Sequence, residues 1–415
     1  MDSPVAFDAD VIVVGAGPAG ATAARTLADA GVDTLVVDRA SFPRNKPCGG
    51  GISTRALGRF PWLDRALGDV DVHRISKLHL EGPGGSQLDL DSGAPSVLLV
   101  RRLEFDAALV RAAVSSGARL VGDFEVTQAS QNDRAVMLRA RDGRTLRARR
   151  VIAADGVHSV MAKRLGVNAR WPRRSLAIDM MEETPVETLR AERPDVLWVA
   201  YAHNGLDGYA YIFPKTRHVN VGIGCVLSHF DDHVDRTPYS LQEAFVASLV
   251  RAGDLHGRSD RSCFTPFLIP VGGPLRKSWQ ERVLFAGDAG GFVNAVTAEG
   301  IYYAMVSGEL AGRALAMTHP SDRTDAPGLA YERLWRAELG AELTDAVLVQ
   351  RYLFASHARV ERVLRSAASL PALADLILGY VRGDLSYAAL RRRMLLRFPL
   401  TIFRMARERL ASRAS

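Results

Sequence analysis

Apolar residues crowd near the start of the chain into a short β-branched run, Val11-Ile12-Val13-Val14, followed at once by Gly15-Ala16-Gly17-Pro18-Ala19-Gly20 and a stretch of small residues. A continuous apolar run closed by glycine predicts a strand covered on both faces, and the small residues predict a helix packed closely on it. A second run, Thr34-Leu35-Val36-Val37, ends on Asp38. Strand, G-x-G-x-x-G turn, helix and strand-terminal acid together predict a βαβ dinucleotide-binding unit. In such a unit Gly15 permits the tight turn, Gly17 lets the backbone approach a pyrophosphate, and Gly20 lets Ala21, Ala23 and Ala24 pack on the strand. The helix amides then face the phosphates. Asp38 takes the ribose hydroxyls, and Ala19 and Arg39 fall beside the same ligand.

The strand-then-turn pattern recurs twice. Val151-Ile152-Ala153-Ala154 runs into Asp155-Gly156, and Val283-Leu284-Phe285-Ala286 runs into Gly287-Asp288. A two-domain NAD dehydrogenase does not need these elements. A flavin has a ribityl chain and a ring system beyond its pyrophosphate, so the repeats favour FAD. Between them, Tyr209, Tyr211 and Phe213 alternate with smaller residues up to Pro214, and Val219-Asn220-Val221-Gly222 follows a polar turn. This predicts a hairpin in an antiparallel sheet. From Ala326 onward apolar residues recur at helical spacing, through Tyr331–Trp335 and Leu343–Leu353.

Composition narrows the setting. At 415 residues, 47% hydrophobic and 24% charged, the chain reads as a soluble globular protein of two or three subdomains. It opens without a charged and apolar leader, and its three cysteines, Cys48, Cys225 and Cys263, are too scattered for a disulfide framework or a metal site. A cytoplasmic setting follows. No uncharged apolar run is long enough for a membrane span. The net charge is +7, and the last 25 residues alone hold eight arginines against the single acid Glu408. Leu390, Met394 and Phe398 interleave with them at helical spacing up to Pro399. Such a basic amphipathic tail either rests on anionic lipid at the inner face of a membrane or packs its stripe on the protein body. No nucleic-acid recognition module accompanies the charge.

The order of the three glycine-acid segments resembles the glutathione-reductase-type flavoproteins of the aromatic hydroxylase branch. Within that group, Lys46-Pro47-Cys48-Gly49-Gly50-Gly51-Ile52-Ser53 and the stretch from Gly287 through Asn294, Thr297, Glu299 and Gly300 to Ala304 resemble the geranylgeranyl reductase family, over roughly residues 8 to 330. The resemblance implies an α/β fold: a Rossmann-like FAD-binding domain of the three-layer type (1–75, 100–165 and 275–330), an inserted antiparallel-sheet substrate domain (76–99 and 166–274) and a helical C-terminus (331–415). It places Cys48, Gly49 and Gly50 at the flavin, Arg102 of Arg102-Leu103-Glu104-Phe105-Asp106 along it, and Asp155 and Gly156 beside it. Asp288 falls at the ribityl or ribose region, and a helix starting near Thr297 presents Gly300 and Ile301 to the flavin's pyrimidine side.

The family's P-x-x-Y-x-W-x-F-P motif is altered here to Leu206-Asp207-Gly208-Tyr209-Ala210-Tyr211-Ile212-Phe213-Pro214. Leu206 replaces the first proline and Tyr211 the tryptophan, which implies a reshaped pocket roof. Cys48, Tyr209 and Tyr211 are the catalytic candidates, Glu299 reads as a first-turn helix acid, and His158 and His203 read as ordinary polar residues. The family's chemistry is reduction of isolated double bonds in a polyprenyl chain, with a lipophilic small-molecule substrate. A flavin monooxygenase or halogenase shares the scaffold, although the halogenase W-x-W-x-I-P signature is missing. No second dinucleotide fingerprint is present, which leaves both NAD(P)H and ferredoxin as electron donors.

Overall fold

The computed structural model describes residues 6–318 and 323–382; the arginine-rich tail expected beyond them lies outside the described residues. The first apolar run forms the strand Ala9–Val14 at the centre of an eight-stranded sheet. Its neighbours Thr34–Val37 and Thr145–Ala153 both run parallel to it, with Val13 opposite Val36 and Ile152. One face is covered by the helices Pro18–Asp29, Arg102–Ser115 and Ile301–Ala316. The other is covered by a meander: Thr145–Ala153 pairs antiparallel with Val136–Ala140, which pairs with Val126–Gln131, and Val126, Val136 and Leu138 pack on Ile12, Val14 and Val37. Because both faces are covered, Val11 through Val14 are all buried, as a central parallel strand requires.

Small residues set how closely the helices approach. A side chain at Gly20 would lie 1.7 Å from the Gly15 carbonyl oxygen, one at Gly308 2.1 Å from that of Ala19, and one at Gly312 2.9 Å from that of Ala23. The helix Ile301–Ala316 therefore lies directly on the fingerprint helix Pro18–Asp29.

A seven-stranded sheet stands beside this domain, in the order Phe264–Pro270, Leu176–Pro185, His218–Val226, Gly208–Pro214, Val196–Tyr201, Lys77–Glu81, Gln87–Asp91. All its pairings are antiparallel except that of Val196–Tyr201 with Lys77–Glu81. Side chains alternate between two faces. Ile178, Met180, Ala210 and Ile212 pack with Phe245, Val246 and Leu249 of the helix Pro238–Ala252, while Met181, Leu197, Val199 and Tyr211 belong to the opposite face. Val97–Val100, which the sequence places partly in this inserted sheet, instead pairs with Gly51–Ser53 and Val72–Ile75 in a separate three-stranded sheet.

The helix Ala326–Trp335 joins the dinucleotide domain: the Tyr331 hydroxyl donates to the Phe285 carbonyl at 2.9 Å and the Trp335 indole to the Ser278 hydroxyl at 2.7 Å. The helices Ala341–Phe354, His357–Ser369 and Pro371–Arg382 then cross to the seven-stranded sheet, where Val360, Leu364 and Leu378 pack on Leu78, Leu80 and Leu197. Among the described residues no single helix is long and apolar enough to cross a membrane, although His357–Ser369 and Pro371–Arg382, meeting at 109°, reach that hydropathy together.

The two kinds of glycine make a testable contrast. Gly308→Val should lower stability by at least about 2 kcal/mol, within the range for overpacking a tight contact. Gly58 is an exposed helical position where an added side chain would meet nothing within 4 Å, and Gly58→Ala should leave the melting temperature unchanged or raise it slightly. Thermal melts of the two variants beside the parent check both.

Candidate active site

A cavity of about 440 Å³ runs between the dinucleotide domain and the open face of the seven-stranded sheet, a size typical of cofactor and ligand sites. One end is lined by Gly15, Gly17, Ala19, Asp38 and Arg39. Arg102, Asp155, Gly156, Gly287 and Asp288 line its middle and flanks, and Gly300 and Ile301 approach from the helix side. Cys48, Gly49, Gly50, Tyr209 and Tyr211 line the far end. Of the residues singled out from sequence for the site, Gly20 does not reach the cavity; it serves the helix packing described above.

The first end suits a dinucleotide. Gly15 has φ +96°, and a side chain there would lie 2.3 Å from the Ala154 carbonyl oxygen, so this turn requires glycine for the fold itself. At Gly17 the nearest atom to an added side chain is Arg44 Nη2 at 3.7 Å. That space opens toward the cavity, where a pyrophosphate would come closest. Asp38 accepts the Ala16 amide at 2.7 Å and the Ala40 amide at 3.0 Å, and a carboxylate offers further lone pairs for ribose hydroxyls.

Asp288 lies among Lys46 and Arg102, burial pushes its carboxyl up, and no side chain among the described residues hydrogen-bonds it. Facing the cavity, this carboxyl is placed to accept a ligand hydroxyl. The helix begins at Ile301, four residues later than expected, and the loop before it is held by Asn294 Oδ1, which accepts the amides of Val296 at 2.9 Å and Thr297 at 3.2 Å. The first-turn amides of the helix have no acceptor within it, and Gly300 and Ile301 border the cavity.

Several expected roles differ in detail. Arg102 is buried and gives two hydrogen bonds to Asp106, at 2.6 and 2.8 Å, which also receives Arg44 at 2.9 Å; its guanidinium is therefore fixed before any ligand arrives. Asp155 accepts the Ser159 hydroxyl at 2.6 Å and the Met161 amide at 3.1 Å, securing the start of the helix Val160–Arg164. Glu299 is not a first-turn helix acid. It precedes the helix, accepts the Ser53 amide at 3.1 Å and pairs with Arg55 at 3.4 Å, and burial pushes its carboxyl up against the pull of that arginine. His158 borders the cavity, whereas His203 packs on Phe245 on the other side of the sheet.

The far end is aromatic. Tyr209, Tyr211 and Phe213 share one face of Gly208–Pro214, with the Tyr211 and Phe213 rings 4.4 Å apart. A side chain at Gly49 would lie 3.0 Å from the Phe213 ring, and one at Gly222 2.4 Å from that of Tyr211. Glycine at these two places lets the rings lie over the Cys48 loop. Cys48 Sγ accepts the Gly50 amide at 3.4 Å, and its carbonyl accepts Asn220 Nδ2 at 3.2 Å. The Tyr209 hydroxyl donates to the Thr297 carbonyl at 2.7 Å, and that of Tyr211 to Asp179 at 3.1 Å.

Asp179 is a site residue that the sequence reading does not name, and Lys46, quoted there only as the start of the glycine-rich motif, joins it at the far end. Burial pushes the Asp179 carboxyl up to about 6, and burial together with Arg102 brings the Lys46 ammonium, lying 3.0 Å from the Phe267 ring centre, down to about 8.

Comparison with known proteins agrees with this geometry. Residues 8–340 match the FAD-binding domain family. A menaquinone reductase of Mycobacterium tuberculosis is 31% identical over 78% of this chain and 81% of its own length. A digeranylgeranylglycerophospholipid reductase of Methanothermobacter thermautotrophicus is 30% identical over 83% and 87%. Among solved structures, a geranylgeranyl bacteriochlorophyll reductase-like protein from Thermoplasma acidophilum superposes with a TM-score of 0.75 at 19% identity, covering 87% of this chain and 92% of that one. A flavin-dependent brominase superposes at 0.70 with 18% identity, covering 90% and 93%. FAD is the cofactor.

The surroundings of Gly17 predict a variant that folds but is empty. Gly17→Val meets no protein atom closer than the Arg44 side chain, yet it fills the approach of the pyrophosphate. Purified Gly17→Val protein should melt within a few degrees of the FAD-free parent and show no flavin absorbance.

Proposed function

We propose that this chain, which belongs to the FAD-binding flavoproteins in their geranylgeranyl reductase-like branch, reduces isolated double bonds in the polyprenyl chain of a quinone or lipid. The observation that carries this reading is the composition of the cavity beyond its aromatic end, where Leu78, Leu80, Leu197, Val199, Ile377 and Val381 line it. An apolar wall built from a sheet face and a C-terminal helix suits a branched hydrocarbon chain. The two relatives of about 30% identity are named for menaquinone and for digeranylgeranylglycerophospholipid, molecules that share such a chain.

Bound FAD supplies two-electron reduction. The protein positions and shields. Tyr209, Tyr211 and Phe213 would exclude water from the far end of the cavity, and the Cys48 loop lies close against the Phe213 ring because Gly49 carries no side chain. Asp38, Asp288 and the amides of Gly300 and Ile301 would hold the cofactor's polar parts. A second reading, oxygen insertion or halogenation, draws on the brominase that shares the fold. NAD(P)H or ferredoxin serves as the electron donor. The arginine-rich tail brings the enzyme from the cytoplasm to the inner face of the membrane, where such substrates reside.

Anaerobic incubation of the reduced protein with geranylgeranyl diphosphate, or with a menaquinone carrying a geranylgeranyl chain, should give products heavier by two hydrogens per double bond. Oxygen-dependent gain of oxygen or halide in place of hydrogen would reverse the assignment. Cys48→Ala should keep its FAD and lose turnover by at least about tenfold, as when a contact specific to the transition state is removed; an unchanged single-turnover rate assigns Cys48 to packing. Full-length protein should sediment with anionic vesicles at low salt and release as salt rises, since such attraction is screened over about 8 Å at physiological ionic strength.

A further inference from the structure

Resting on the reductase reading, we propose that Asp179 is the acid that protonates the alkene during reduction, with Tyr211 as the residue that positions it. An isolated carbon–carbon double bond has no electron-withdrawing neighbour, so a hydride can add to one carbon only as a proton arrives at the other. The protein must present that proton inside a water-poor cavity.

Three other polar groups near the aromatic end are already engaged. Tyr209 already donates to the Thr297 carbonyl at 2.7 Å. Glu299 is engaged by Arg55 and the Ser53 amide. Lys46 lies against the Phe267 ring. Asp179 stands in mid-strand on Leu176–Pro185, opposite Gly224 on one neighbouring strand and Phe267 on the other. It borders the main cavity, and the Tyr211 hydroxyl is its one side-chain hydrogen-bond partner among the described residues. A carboxyl group so placed has an oxygen left for the ligand space.

Asp179 also has a second side. A separate cavity of about 40 Å³ is bordered by Asp179, Tyr209 and Tyr211 toward the site and by Asp207, Gln350 and Phe354 away from it. That volume accommodates a water molecule. Asp207 is in turn within 3.3 Å of His229 and 3.7 Å of His357, the latter half exposed. The carboxyl thus lies between the ligand space and a polar route toward solvent.

The groups that bear on its titration are few. Lys46 approaches from the Cys48 loop and favours the carboxylate, Tyr211 hydrogen-bonds it, Tyr209 stands alongside, and Asp207 lies across the small cavity. The adjacent strands present Gly224 and Phe267 and add no charge. Burial outweighs Lys46 and Tyr211, so the group holds its proton up to about pH 6.

The step balances as follows. The carboxyl O–H bond breaks and its proton forms a C–H bond at one alkene carbon. The hydride, with its electron pair, is what bound reduced FAD would supply to the other carbon, itself becoming oxidised by two electrons, and the product is the saturated bond. Asp179 is left as a carboxylate and regains a proton through the small cavity.

The test uses the full-length, FAD-loaded protein. Infrared titration should show the carbonyl band of a protonated carboxyl group disappearing as pH rises through about 6, missing in Asp179→Asn. In Tyr211→Phe the band should persist to higher pH, because that hydrogen bond favours the carboxylate. Absence of the band in the parent at acid pH overturns the proposal without any substrate being involved. In anaerobic single turnovers with geranylgeranyl diphosphate, Asp179→Asn should be at least about 100-fold slower, and Asp179→Ala should recover with added formate. Hydrogen transfer by Asp179→Asn within about threefold of the parent overturns the acid assignment alone. A parent that adds oxygen rather than hydrogen to the probe overturns the reductase reading and this proposal with it.

Discussion

The cofactor end of the molecule depends on backbones meeting where no side chain intervenes. Gly20 against the Gly15 carbonyl, Gly15 against that of Ala154 and Gly308 against that of Ala19 lock the fingerprint turn, the second strand end and the helix Ile301–Ala316 into one block. Interiors packed this closely transmit displacement rather than absorb it. A side chain at any of the three would move the turn at Gly17, the helix amides at Ile301 or the loop at Asp155, each of which borders the cavity. The phosphate-binding surface is therefore a consequence of core packing.

The seven-stranded sheet contributes through alternation. The same strands that bury Ile178, Ala210 and Ile212 beneath the helix Pro238–Ala252 turn Asp179, Tyr209 and Tyr211 to the cavity. Period two forces this division: no residue of Gly208–Pro214 can serve both faces. Tyrosine at 211 then has a particular effect. An indole and a phenol each have one hydrogen to donate, but only the phenol oxygen also accepts, so the altered roof sets a hydroxyl against Asp179 with Lys46 nearby.

What could be read in advance follows from how local each signal is. The fingerprint turn, the strand ending in Asp38 and the Tyr209 strand are defined by spacings within one or two elements, and the fold class follows from their order. Glu299 misleads in sequence because its partner Arg55 lies 244 residues away; an acid just before a helix looks the same whether it complements the helix dipole or a distant guanidinium. Val97–Val100 is a bare apolar run whose partner strands no periodicity identifies. Asp179 sits in Asp179-Met180-Met181-Glu182-Glu183, where acids occur on both faces of the strand and no motif marks one of them.

The C-terminal helices are tied to the cavity by buried charge. Arg55, two residues beyond Ser53, pairs with Glu299 at the cavity and at 3.0 Å with Glu342 of the helix Ala341–Phe354, while its guanidinium lies 3.8 Å from the Tyr302 ring centre. Tyr303 donates to Glu342 from the other side, and the Ser53 hydroxyl donates at 3.1 Å to the Val381 carbonyl of the helix Pro371–Arg382. Removing one member of such a cluster leaves a charge buried without its partner, at a cost of about 3–5 kcal/mol. The apolar wall supplied by Ile377 and Val381 is thus fixed relative to the loop before the helix at Ile301. The same ionic cluster therefore holds both this apolar wall and the cavity-facing loop, so neither shifts without the other.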